Sequence, residues 1–266
     1  MMDLFERLRQ SKIYDLAQPY FVGMPHFPTH PPFLFGLTKK HGDMVSESGA
    51  SSSADAIALG GHVGTHIDAL CHFSCNGKLY GGVEAKTVQS DAGGIGQHSV
   101  DTIAPIMRRG VLLDIAGQLT TEALPADFII APEHLESTAK AQKIEIQKGD
   151  VVLLRTGWAR FWNDAARYIT GGHGITATGP GPEIDGARWL SKRGVFAAGS
   201  DTVAFERVPS AMAVHVHLLV ESGIHIIEAL NMEELARDRI YEFVFVAAPL
   251  KIRGGTGSPI RPLALT

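Results

Sequence analysis

The stretch Pro182-Glu183-Ile184-Asp185-Gly186-Ala187-Arg188-Trp189-Leu190-Ser191-Lys192-Arg193-Gly194-Val195-Phe196-Ala197-Ala198 reads as a helix over 182–193 that stops at Gly194 and turns into a strand at Val195. Glycine just past the last helical residue is a stop signal, and a short apolar run bounded by such a signal suits a buried strand. Similar β-branched runs recur at 111–115, 151–154, 224–227 and 243–246, with helical stretches between several of them. That βαβ-like alternation predicts an α/β fold, a mixed sheet with flanking helices. Asn231-Met232-Glu233-Glu234 places a cap residue three positions before a Glu and opens a short helix to about Arg237. The Gly-rich segment 168–182 is expected to be a long loop.

The chain has 266 residues, 45% of them hydrophobic and 20% charged, which is a globular composition and excludes disordered, collagen-like and coiled-coil readings. At this length one domain over 1–266 is expected ahead of two small ones. The charged start MMDLFERLRQ lacks the apolar core of a secretory signal, so a cytoplasmic location is expected, and residues 1–12 read as an oligomerisation arm. Lys and Arg number 24 against 28 Asp and Glu, so no basic field draws nucleic acid. The longest strongly apolar run, 241–250, contains Glu242 and is shorter than the about 20 residues a membrane span needs. Cys71 and Cys75 form no disulfide framework or zinc cage and read as free thiols.

The anomaly is twelve histidines. Three fall with an aspartate in Gly61-His62-Val63-Gly64-Thr65-His66-Ile67-Asp68-Ala69-Leu70-Cys71-His72. Imidazole nitrogens and a carboxylate are the ligands that zinc or manganese takes. Any one such His among Val and Ile is more often a hydrogen-bonded core residue. As a set they would be costly to bury without a shared partner, and a cation is the simplest one. On a helix, 62 and 66 share a face and 68 does not; on a strand, 66 and 68 share a face and 62 lies about 13 Å from 66. A chain bent at Gly64 could gather His62, His66 and Asp68. His26, His30, His41, His98 and His134 have no motif around them.

These residues carry a resemblance. His62-x-Gly64-Thr65-His66-x-Asp68 followed by His72 looks like the HxGTHxDxPxH signature of the cyclase family of metal-dependent hydrolases, which includes kynurenine formamidases and isatin hydrolases. Leu70 stands where that family has proline, a departure that bears on the local turn and pocket shape. Residues 13–16 with Met24-Pro25, and the segments 149–158, 199–202 and 257–261, are similar to other family motifs. The resemblance implies a swivelling β/β/α fold, one or two divalent ions, and a homodimer or homotetramer. It maps a second ligand pair to His215 and Glu228, with Asp68 bridging. His217 is close enough to replace His215, which is favoured by its spacing to Leu218-Leu219. Taken alone, Glu228 would read as a surface residue past a strand end, and His225 as structural.

His72, left over after the ligands are assigned, is free to carry a proton from water to a leaving nitrogen, the role the resemblance also implies. A divalent cation acidifies water and polarises a carbonyl. The expected activity is therefore hydrolysis of a C–N bond in a small, aromatic formamide, amide or lactam. A metal-dependent cyclase or lyase, and a metal-binding protein without turnover, are the alternatives. Phe27, Phe33, Phe35, Phe73 and Tyr80 lie near the matching motifs and could line an aromatic pocket or simply pack. Gly93-Gly94-Ile95-Gly96 does not fit a dinucleotide loop, and no GxSxG elbow occurs.

Overall fold

A computed structural model describes residues 4–172 and 176–266. Its frame is one nine-stranded mixed sheet in the order Ile13–Asp15, Leu263–Leu265, Glu242–Ala247, Ile106–Asp114, Val151–Arg155, Ala197–Ser200, His225–Glu228, His66–Asp68, Gly257–Pro259. The four strands from Ile106–Asp114 to His225–Glu228 run parallel, and every other pairing within this sheet is antiparallel.

Parallel strands covered on both faces must be apolar on both, and these are. Along Val151–Arg155, Val151 and Leu153 enter one core cluster with Leu112, Ala197 and Ile227. Val152 and Leu154 enter the other with Val111, Leu113, Ala198 and Ile226. Helices Pro132–Gln142 and Ile184–Lys192 supply Leu135, Ala187 and Leu190 to the second cluster. Gly194 follows the latter helix at φ +65°, the left-handed conformation that lets the chain turn into the next strand. The mixed α/β architecture expected from the alternation is the one observed.

Differences are local. The loop expected over 168–182 begins as a helix, Ala165–Thr170, because the Asp164 side chain caps it by accepting from Arg167 N. It ends as a strand, Gly181–Pro182, paired with Ile129–Ile130. His173, Gly174 and Ile175 of that segment, and the first three residues of the expected arm, lie outside the described residues. The rest of the arm contains the helix Leu4–Gln10. A hairpin of Leu34–Lys39 and Ala54–Ala58 carries exposed Leu34, Phe35 and Ile57. No described helix is long and apolar enough to cross a membrane.

Candidate metal centre

The site is built where the short strand His66–Asp68 is held between His225–Glu228 and Gly257–Pro259. The chain reaches that strand through Gly64 at φ +70°, the bend that its spacing required. Two anchors hold the turn. Tyr20 Oη lies 2.9 Å from Val63 O and 3.1 Å from Thr65 O, and buried Thr65 donates its hydroxyl to Ala229 O while accepting Gln18 N. Gly257 is needed for room, since a Cβ there would lie 2.5 Å from His62 Cε1.

His62, Asp68 and His72 offer ligand atoms within 4.8 Å of one another, as do Asp68, His215 and Glu228, so Asp68 belongs to both groups. His62 Nδ1 is 2.7 Å from Asp68 Oδ1. His66 Nε2 is 3.5 Å from Asp68 Oδ1 and 3.4 Å from Glu228 Oε2. His215 Nε2 is 3.2 Å from Glu228 Oε1 and 4.0 Å from Asp68 Oδ2. His66 Nδ1 donates to Gly64 O at 2.8 Å, which leaves the Nε2 lone pair free.

Two observations fit a cation. His66 Nε2 and Asp68 Oδ2 are buried without a hydrogen-bond partner, which is expensive for strong polar atoms unless something else binds them. The local charge also demands positive partners. Burial alone would lower the His215 pKa, yet hydrogen bonds to Glu206 and Glu228 raise it to about 10. Burial would raise the Asp68 and Glu228 carboxyls, but the imidazoles of His72 and His62 hold Asp68 well below the usual range, and His215 and His66 do the same for Glu228. A nitrogen and oxygen donor set of this kind suits zinc or manganese.

His72 behaves differently. Its ring stacks on His62 at 3.8 Å between centroids, and burial lowers its pKa to about 3. It lines a cavity of about 320 Å³ with Phe27, Thr29, His30, Phe73, Val203 and Met212. The other expected residues divide plainly. His215 turns into the cluster, whereas His217 bonds Ser191 and Glu221 away from it. Glu228 is buried, so the surface reading of it is wrong; the strand ends at this residue, not in solvent but against the segment carrying Phe205, whose N–H it accepts. His225 donates to Asp68 O and supports the strand from behind. Phe27 and Phe73 line the cavity, but Phe33 packs in a separate core with Tyr20, Phe35 is exposed on the hairpin and Tyr80 packs against Gly223. Leu70 packs against the second core cluster.

His30 was passed over for want of a motif, yet its Nδ1 donates to His62 O at 3.3 Å and its ring edges toward His72. No spacing signal marked it, because a loop far from the cluster in sequence delivers it.

Residues 14–207 match the Cyclase family. The chain is 28% identical over 218 residues to an isatin hydrolase of Roseibium aggregatum, covering 79% of this chain and 73% of that protein. It is 25% identical over 256 residues to a kynurenine formamidase of Bacillus thuringiensis subsp. konkukian, covering 96% and 97%. A crystal structure described as a novel cyclase superposes with a TM-score of 0.86 at 28% identity, covering 99% of this chain and 92% of that one.

Proposed function

Because the chain belongs to the Cyclase family, we propose that it hydrolyses the C–N bond of a small aromatic formamide, amide or lactam, with His62, His66, Asp68, His215 and Glu228 holding one or two divalent cations. The observation that carries this reading is the convergence of those five side chains, two of them with orphaned buried atoms, beside a cavity lined by His72 and two phenylalanines. Zinc or manganese held there would supply a Lewis acid that polarises the amide carbonyl and acidifies water.

The chain's own residues account for the rest. His72, neutral in its buried position, takes the proton from the attacking water and delivers it to the leaving nitrogen as the C–N bond breaks. Phe27, Phe73, Val203 and Met212 offer apolar walls for a flat ring and exclude bulk water from the reacting carbonyl. The His30 ring stands beside His72 in the wall of the same cavity. Relatives named as an isatin hydrolase and a kynurenine formamidase support amide chemistry on an aromatic substrate.

Metal analysis of the purified protein, followed by assays on isatin and N-formylkynurenine with zinc or manganese restored, tests the reading. Bound metal and turnover of either amide are expected. A protein that holds no divalent ion and is not activated by adding one would overturn it.

A further inference from the structure

Glu206 has no part in the ligand set, yet it is 1% exposed and fully engaged. Its Oε1 accepts from Ser210 Oγ at 2.7 Å. Its Oε2 accepts from Val214 N at 2.9 Å, His215 N at 3.1 Å and His215 Nδ1 at 3.1 Å. All four donors belong to the segment that ends in His215, so this carboxylate organises the approach of that one histidine. Ser210 in turn accepts Met212 N, and both Ser210 and Met212 line the substrate cavity.

The bond to Nδ1 has a chemical consequence. A carboxylate can only accept, so the Nδ1 atom carries a proton, and a cation bound between Glu228 and Asp68 would then take the lone pair of Nε2, which faces them. A negative charge behind an imidazole also makes its opposite nitrogen a stronger donor to a cation.

We propose that Glu206 is a positioning residue that acts through His215, fixing its tautomer and ring orientation and thereby tightening the cation held by Asp68, His215 and Glu228. The inference rests on the metal-dependent reading above. It adds that affinity on this side of the centre depends on a residue that touches neither ion nor substrate.

Glu206→Gln keeps the shape and one carbonyl acceptor but removes the charge. The test is titration of the metal-free protein with cobalt(II) against a chelator, followed by the visible cobalt bands, with the urea midpoint recorded alongside. Cobalt affinity at one equivalent should fall about 10- to 100-fold in the variant and the bands should shift, while the urea midpoint of the metal-free protein stays close to that of the wild type. Unchanged affinity and bands would overturn the proposal. Failure of the wild type itself to bind cobalt would instead overturn the metal reading and the proposal with it. If the variant does not fold, nitrogen-15 NMR of the zinc-loaded wild type decides: His215 should carry its proton on Nδ1, and a proton on Nε2 would refute the assignment.

Discussion

Replacing Gly64 with Ala is expected to destabilise the protein by roughly 2–5 kcal/mol, from two separable causes. Gly64 sits at φ +70°, where an L side chain costs about 1–2 kcal/mol. The added Cβ would also lie 2.5 Å from Tyr20 Oη, and overpacking of this kind costs about 1–3 kcal/mol. The ring cannot swing aside freely, because Oη is tied to Val63 O and Thr65 O on either side of the substitution. For a chain of this size the melting temperature should fall by roughly 5–15 °C, read by circular dichroism. Tyr20→Ala removes the overlap without touching the backbone strain. The double variant should therefore be less destabilised than the sum of the two singles by about 1–3 kcal/mol. Strict additivity would refute the overlap, and a Gly64→Ala protein within about 0.5 kcal/mol of the wild type would refute the whole account of the bend.

His72→Ala should lower kcat by about 10²–10⁴ while leaving metal content unchanged by elemental analysis; loss of metal would make His72 a ligand instead. His215→Ala should abolish binding of one metal equivalent in a chelator titration, whereas His217→Ala, which only breaks bonds to Ser191 and Glu221, should leave it intact. Arg155 is buried between Asp114 and Glu233, so Arg155→Met should cost about 3–5 kcal/mol in urea denaturation by stranding the Asp114 charge; a loss below about 1 kcal/mol would contradict that burial.

The parallel centre of the sheet was legible because each strand is apolar on both faces and bounded by a turn residue. Gly194 ends its helix as the sequence predicts, at positive φ. Strand ends were less legible: the apolar run 111–115 marks only the last part of the strand observed over Ile106–Asp114, since the ladder, not the apolar run, sets the limit. The hairpin at Leu34–Lys39 was missed because its exposed positions show no core face to mark a period. Within the site, His62, His66, Asp68 and His72 could be read from one short segment whose geometry is local. Glu206 and His30 could not. Their importance comes from what the fold places opposite them, and neither Arg207 nor Pro31, their sequence neighbours, hints at it.

The position of His66–Asp68 between two distant strands also determines when the centre can exist. Thr65 bonds Ala229 across 164 residues of chain, and His62 meets Thr256 across 194. A nascent chain carrying the first histidine cluster therefore has half a site until nearly its whole length has been made. Contacts of such long range close slowly, because loop entropy must be spent before they return anything. Ion capture then becomes a late event of folding, and a bound cation acts as a latch on a finished chain and does not seed an unfinished one.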